Sequence, residues 1–188
     1  EQLEAWFTEV RKASNPAVAA YLQGLLLVGA RPEEWRGLLW DNIDFRWKSI
    51  TIGDKVEGQR VIPLTPYVAH MLAGLPRRNE WVFSSGSKNS PDGRISEPHD
   101  QNVKALKAAA LPHVSLHGLR RSFGTISEWV ECPVGIVAQI QGHKPSAIAE
   151  KHYRVRPLDL LRMWHVRIEE FILECAKVEF KAEDSIPV

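Results

Sequence analysis

A single strand-turn-strand pattern lies within a chain whose other apolar segments have helical spacing. Ser49 to Gly53 and Arg60 to Leu64 are short apolar runs, and the turn between them contains Gly58. This pattern predicts a β-hairpin. In the flanking segments, apolar residues recur three and four positions apart, which is typical of helices with one buried face. The chain is therefore predicted to be an α+β domain, mainly helical, with one small antiparallel β-sheet.

Proline, serine and glycine mark the expected helix boundaries. Helices are predicted to begin at Asn15-Pro16, Pro32, Pro66, Pro98, Ser115, Pro133, Ser146 and Pro157. Gly29 and Gly142 are expected to end two of them. Ser84 to Pro98 has the composition of a loop, and Trp81-Val82-Phe83 is predicted to be a strand or a buried extended segment.

Composition excludes several classes of protein. At 188 residues with 44% hydrophobic and 25% charged residues, the chain has the composition of an ordinary globular domain. Its longest apolar runs, such as Leu25 to Ala30, are too short to cross a bilayer, so no membrane partner is expected. Cys132 and Cys175 form no disulfide or metal-binding pattern and suit a reducing, cytoplasmic compartment.

Charge is unevenly distributed along the chain although the net charge is only +1. Between Lys88 and Arg167 there are twelve Lys and Arg against seven Asp and Glu, together with six of the seven histidines. Such a segment can form a basic face suited to nucleic acid. A solvated surface of mixed charge explains the same counts about as well.

Three segments carry residues suited to phosphate chemistry. Arg31 lies between two predicted helices, His117 and Arg120 lie three residues apart on one helix, and His143 precedes Tyr153 by ten residues. Guanidinium groups bind phosphate oxygens through two hydrogen bonds and stabilise the negative charge of a phosphoryl-transfer transition state. A tyrosine can act as nucleophile if a neighbouring group accepts its proton. Each segment alone is more typical of a surface ion pair, a helix cap or core packing than of a catalytic site.

In their order and spacing, these segments resemble the motifs of the tyrosine recombinases, the integrases of temperate phages and genomic islands. The six positions of that family's catalytic set match Arg31, Lys55, His117, Arg120, His143 and Tyr153. Two details depart from the family pattern: Gln141 replaces the usual leucine before Gly142-His143, and ten residues rather than nine separate His143 from Tyr153. The resemblance implies the catalytic-domain fold of this family.

The resemblance implies a transesterification that requires no metal, ATP or other cofactor. Tyr153 would attack a DNA phosphodiester, leaving a 3′-phosphotyrosyl link and a free 5′-hydroxyl. Arg31 and Arg120 would bind the non-bridging oxygens, and Lys55 would protonate the departing 5′-oxygen. In the same scheme His117 would assist proton transfer at the tyrosine.

Two further roles concern residues beside the arginines. The resemblance implies that His143 hydrogen-bonds the phosphate. Glu34 is our candidate for holding Arg31 in position, and it is as well suited to balancing the charge of a helix N-terminus.

Partners follow from the same resemblance: double-stranded DNA attachment sites, a homotetramer on DNA, and accessory DNA-bending proteins, in the bacterial cytoplasm. Contacts with backbone phosphates are predicted for Lys104, Lys107, Arg121, Lys144, Arg154 and Arg156. The apolar stripe from Pro157 to Phe180 is expected to pack either on a neighbouring protomer or on its own chain.

The expected domain organisation has three parts. Residues 1–14 are predicted to be a linker that follows a missing N-terminal DNA-binding region, 15–180 the catalytic domain, and 181–188 a C-terminal tail. Two other functions are kept as alternatives. A type IB topoisomerase uses similar chemistry, and a regulator derived from an integrase would bind DNA without cleaving it.

Overall fold

The computed structural model describes residues 1–54, 58–143 and 155–181. Its helices are α1 (Gln2–Val10), α2 (Pro16–Val28), α3 (Pro32–Arg36), α4 (Pro66–Ala73), α5 (His99–Ala108), α6 (Leu116–Trp129), α7 (Val134–Gln141) and α8 (Leu158–Cys175). Its strands are β1 (Ile43–Asp44), β2 (Ser49–Asp54) and β3 (Gly58–Pro63). The helix expected from Ser146 to Tyr153 lies outside the described residues, as does Lys55.

The predicted hairpin is confirmed and belongs to a three-stranded antiparallel sheet in the order β1-β2-β3. In its register Ile50 faces Ile62 and Ile52 faces Arg60. All three isoleucines are buried. Because side chains alternate between the faces of a strand, Arg60 points to the same side of β3 as Ile62.

The expected helix boundaries are set by local hydrogen bonds. The Asn15 side chain accepts from the Ala17 amide at 3.0 Å at the start of α2, and Ser115 Oγ accepts from the Gly118 amide at 3.0 Å at the start of α6. Gly29 ends α2 and Gly142 ends α7, both in the left-handed conformation that favours glycine. The sequence therefore sets the helix ends that lie nearest to the candidate site.

Helix α2 forms the centre of the core, with every residue from Ala17 to Val28 buried. It packs against α6 and also contacts α1, α3, α4 and α8. Trp81 and Ser84 lie in isolated bridges, and the residues between them, Val82 and Phe83, are buried in a turn rather than in the expected strand or extended segment. The Phe83 ring is in edge contact with Tyr21 at a ring-centroid distance of 5.4 Å. This packing places the start of α3 and the first turns of α6 on one side of α2.

The N-terminal segment differs from the linker expected over residues 1–14. Helix α1 packs against α5, α2 and α8, and Trp6, Phe7 and Val10 are buried. Trp6 Nε1 also donates to Asn102 Oδ1 of α5 at 3.3 Å. Since Leu3, Trp6, Phe7 and Val10 share one helix face, burial of that face makes residues 2–10 part of the folded domain.

Helix α8 packs on its own chain. Leu161, Ile168 and Ile172 are buried against the core, and Phe180 beyond the helix contacts the Tyr67 ring at a centroid distance of 5.3 Å. Within one chain, the C-terminal stripe therefore packs in cis. No helix in the described part of the chain is both long and apolar enough to span a membrane.

Two buried titratable side chains of α8 have pKa values displaced in opposite directions. His165 Nε2 donates to the Leu27 carbonyl at 2.9 Å, and burial lowers the pKa of His165 to about 4. Glu169 accepts from the Thr65 hydroxyl and from the Tyr67 amide at 2.9 Å. Burial outweighs these hydrogen bonds and raises the pKa of Glu169 to about 7.

Replacement of Glu169 with glutamine is expected to change how stability depends on pH. A raised carboxyl pKa stabilises the fold below pH 4.5, and that contribution is lost as the pH rises towards 7. The free energy of unfolding of Glu169→Gln relative to wild type should therefore increase by about 3 kcal/mol between pH 4.5 and pH 7. Urea denaturation at several pH values measures this difference, with exposed Glu174→Gln on the same helix as the control. A difference independent of pH would contradict the assignment.

His165 changes the free energy of unfolding with pH in the opposite direction. A lowered histidine pKa costs stability as the pH falls from 6.5 towards 4, because the unfolded chain binds a proton that the folded chain excludes. In wild type the two slopes oppose each other between about pH 4.5 and pH 6.5. Glu169→Gln removes one and leaves the other.

Candidate active site

Arg31 is held at the start of α3 by Glu34. The Arg31 amide donates to Glu34 Oε2 at 3.1 Å, and Arg31 Nη1 donates to Glu34 Oε1 at 2.5 Å. Pro32 follows Arg31 directly and suits the first position of a helix. Glu34 thus contacts Arg31 as the sequence led us to expect, and it also lies in the acidic first turn of α3.

Three arginine side chains donate hydrogen bonds to three consecutive carbonyls at the C-terminal end of α7. Arg60 Nε donates to the Ile140 carbonyl at 3.2 Å, Arg120 Nη2 to that of Gln141 at 2.9 Å, and Arg31 Nη2 to that of Gly142 at 3.0 Å. The last carbonyls of a helix lack partners within the helix and carry partial negative charge. Three guanidinium groups therefore meet where the chain turns into His143, and we call Arg31, Arg60, Arg120 and His143 the arginine cluster.

Arg120 is fixed from two directions. Its Nη1 donates to the Gly29 carbonyl at 2.6 Å, while Nη2 binds Gln141 as described above. Gln141 Nε2 in turn donates to the Arg120 carbonyl at 2.9 Å. The glutamine that departs from the family pattern is therefore buried and hydrogen-bonded to α6.

Arg60 was not among the site residues predicted from sequence. Its Nη2 donates to Glu34 Oε2 at 2.9 Å, and the two side chains are only 9% and 7% exposed. The sequence contained a signal, because strand alternation places Arg60 on the buried face of β3 and leaves Val61 half exposed. A charged residue at a buried strand position requires a partner.

The charges of the cluster displace two pKa values. Burial raises the pKa of Glu34, but the hydrogen bonds and charges of Arg60 and Arg31 outweigh it, so the net pKa is below the ordinary value. Partial burial lowers the pKa of His143, and the positive charges of Arg120, Arg31 and Arg60 lower it further, against an opposing effect of Glu34. Glu34 is therefore ionised and His143 neutral at pH 7. A neutral imidazole can still donate one hydrogen bond.

Gly142 is expected to tolerate no side chain at this junction. Its φ is +68°, and a Cβ would lie 2.8 Å from Arg60 Nη1. Gly142→Ala should lower the free energy of unfolding by about 1–2 kcal/mol from backbone strain, with a further loss from displacement of Arg60.

Gly58→Ala provides the matched control for this variant. Gly58 has φ +82°, and among the described residues no atom lies within 4 Å of the position of a Cβ, so its substitution is expected to report backbone strain. Chemical denaturation of both variants should show the larger loss for Gly142→Ala. Equal losses would contradict the close packing of Arg60 on Gly142.

The other predicted site residues occupy different settings. His117 is exposed on α6, one turn before Arg120, and Lys104, Lys107 and Arg121 are exposed on α5 and α6. Arg156 packs against α7, where its backbone exchanges two hydrogen bonds of 3.0 Å with the Gln139 side chain.

The predicted residues that lie outside the described part of the chain are Lys55, Lys144, Tyr153 and Arg154. Within the described ranges, no group of three His, Cys, Asp or Glu side chains is placed to hold a metal ion.

Known proteins are similar to this chain in sequence and in fold. Residues 1–157 match the phage integrase family. The prophage integrase IntF of Escherichia coli (strain K12) is 57% identical over an alignment of 188 positions, and this alignment covers 96% of this chain and 40% of that protein. The chain thus spans about two fifths of the length of this relative.

Two solved structures show the same fold at low sequence identity. The integrase of mycobacterium phage Brujita has a TM-score of 0.66 at 16% identity, covering 96% of this chain and 61% of the integrase. A lambda integrase tetramer bound to a Holliday junction has a TM-score of 0.58 at 15% identity, covering 76% of this chain and 45% of that one. The fold, the family match and the 57% identical relative lead to one conclusion: this chain belongs to the phage integrase family of tyrosine recombinases.

Proposed function

We propose that the protein is a site-specific DNA recombinase that cleaves and rejoins DNA through a 3′-phosphotyrosyl intermediate. The observation that carries this proposal is the arginine cluster, in which Arg31 and Arg120 are held beside His143 by the carbonyls of Gly142 and Gln141. Donors fixed before the reaction cost no reorganisation as charge develops on a phosphate. Guanidinium groups suit the non-bridging oxygens of a phosphate.

In the proposed reaction Tyr153 is the nucleophile. Its oxygen forms a bond to the scissile phosphorus while the bond from phosphorus to the 5′-oxygen breaks. Lys55 supplies the proton that the departing 5′-oxygen takes up, and His117 assists removal of the proton from the tyrosine. Arg31 and Arg120 balance the additional negative charge that develops on the phosphate oxygens.

His143 acts as a neutral hydrogen-bond donor to the phosphate in this scheme. The depressed pKa keeps its charge from changing near pH 7. The phosphotyrosyl bond retains the free energy of the broken phosphodiester. A 5′-hydroxyl from a second DNA strand can therefore reverse the step without ATP, and we propose no cofactor.

The proposed substrate is double-stranded DNA carrying attachment sites. Support comes from the lambda integrase, which was solved as a tetramer bound to a Holliday junction and shares this fold. We extend that assembly to this protein as a homotetramer on DNA in the bacterial cytoplasm, with accessory DNA-bending proteins. Lys104, Lys107 and Arg121 are exposed and suited to backbone phosphates, with Lys144, Arg154 and Arg156 proposed for the same contacts.

The proposal is tested by covalent trapping on a nicked substrate. The full-length protein is incubated with attachment-site DNA in which the cleaved end diffuses away, and the products are separated on a denaturing gel. A protein–DNA adduct supports the proposal. Specific binding to verified DNA without an adduct would instead support a regulator. Efficient relaxation of a plasmid that lacks the attachment site would instead support a topoisomerase.

A further inference from the structure

Arg60 lies where three parts of the fold meet. It belongs to β3, its Nη2 binds Glu34 of α3 at 2.9 Å, and its Nε binds the Ile140 carbonyl at the end of α7 at 3.2 Å. Its side chain is 9% exposed. One residue therefore joins the sheet to both helix ends that hold the candidate site.

Arg60 affects the orientation of Arg31 through Glu34, because both arginines donate hydrogen bonds to this carboxylate. Glu34 Oε2 accepts from Arg60 Nη2 and from the Arg31 amide, while Oε1 accepts from Arg31 Nη1. A carboxylate bound on both oxygens has a fixed plane. Removal of Arg60 takes away one of the bonds that set this plane, so the Arg31 guanidinium is held less firmly.

Arg60 also packs against the backbone that leads into His143. Three atoms of its guanidinium group lie within 2.9 Å of the position that a Cβ on Gly142 would take. Glycine at 142 therefore allows Arg60 to approach the turn. The backbone position of His143, the next residue, follows from the geometry of this turn.

Arg60 is also connected to Lys55, through the strands of the hairpin. Arg60 faces Ile52 in the register of β2 and β3, and the turn between these strands contains Lys55. The bonds of Arg60 consequently hold the middle of the hairpin, two pairs from its last pair before the turn, against α3 and α7. This ties the strand that returns from Lys55 to the helix end that precedes His143.

We propose that Arg60 is a positioning residue for the recombination reaction, which holds Arg31, His143 and the middle of the Lys55 hairpin in one arrangement. This inference rests on the proposed function. In this role Arg60 acts through Glu34 and the α7 carbonyl rather than on DNA itself. Its loss should slow strand cleavage more than it weakens DNA binding.

The test compares Arg60→Met and Arg60→Lys in the full-length protein with Arg46→Met as control. Arg46 is an exposed arginine near the same sheet that stacks on Trp47. With saturating attachment-site DNA, Arg60→Met should slow adduct formation by about 10²-fold, because misplacement of reacting groups by an ångström has an effect of that size. The Kd for the same DNA should stay close to the wild-type value. Arg46→Met should cleave at the wild-type rate.

Arg60→Lys separates charge from geometry, and it also carries the comparison if Arg60→Met fails to fold. Lysine keeps the positive charge but cannot bond to Glu34 and Ile140 in two fixed directions. We expect a slower cleavage rate with an unchanged pKa of His143. In Arg60→Met the pKa of His143 should rise, because one of the charges that lowers it is lost. NMR titration of His143 in the absence of DNA measures both values.

Three results would overturn the inference. The first is cleavage by folded Arg60→Met at the wild-type rate. The second is a loss of DNA affinity as large as the loss of cleavage rate, which would make Arg60 a direct phosphate ligand. The third is an unchanged pKa of His143 in Arg60→Met. Failure of the wild-type protein to form an adduct on verified DNA would count against the proposed function instead. The NMR comparison would then still show whether the charge of Arg60 lies close enough to His143 to lower its pKa.

Discussion

Replacement of Tyr153 with phenylalanine is expected to abolish the covalent protein–DNA adduct and leave DNA binding intact. The phenolic oxygen is the atom proposed to form the bond to phosphorus, and phenylalanine removes only that atom. Since the arginine cluster is formed by other segments, it should still bind DNA. Denaturing gels measure the adduct, and fluorescence anisotropy with the same DNA measures the Kd.

Tyr67→Phe is the matched control for this experiment. The Tyr67 hydroxyl donates to Gln23 Oε1 at 2.7 Å inside the core, so its loss should cost about 1 kcal/mol of stability without affecting cleavage. An adduct formed by Tyr153→Phe would contradict the assignment of the nucleophile. An adduct lost in Tyr67→Phe, with the protein folded, would contradict it as well.

Arg120→Lys is expected to reduce the rate of strand cleavage by about 10²–10³-fold. Arg120 bonds to the Gly29 and Gln141 carbonyls through two nitrogens that a lysine ammonium cannot replace in the same directions. The charge is retained, so DNA affinity should fall much less than the rate. Single-turnover adduct formation at saturating DNA measures the change.

Arg162→Lys controls for the structural part of this effect. Arg162 Nη2 also donates to two carbonyls, those of Trp47 at 2.9 Å and Lys48 at 3.2 Å, but on α8 and away from the cluster. Both substitutions should lower stability, whereas only Arg120→Lys should slow cleavage. Equal rates for the two variants would argue against a catalytic role for Arg120.

Local signals in the sequence were sufficient for most of the elements that surround the site. Ser115 caps α6, Gly29 and Gly142 end α2 and α7, and the hairpin has the predicted antiparallel pairing, because each depends on nearby residues. Helix α1 shows the limit of this reasoning. Its apolar residues have helical spacing, but its burial depends on α5, whose Asn102 lies 96 positions from Trp6.

The contacts within the site could not be predicted in the same way. Glu34 was expected to contact Arg31, three residues away, and it does. The bond from Glu34 to Arg60 spans 26 positions, and that from Arg60 to the Ile140 carbonyl spans 80. Strand alternation shows that Arg60 is buried, but the partner of a buried charge depends on how distant elements pack.

In the proposed mechanism, Tyr153 attacks a phosphate held by the arginine cluster. The most direct test of this step is to trap the adduct on a nicked attachment-site substrate, digest the protein and the DNA, and identify the modified residue by mass spectrometry. We predict a nucleotide linked through its 3′-phosphate to the Tyr153 oxygen. A nucleotide linked to Tyr21, Tyr67 or any other side chain, or joined through a 5′-phosphate, would contradict it.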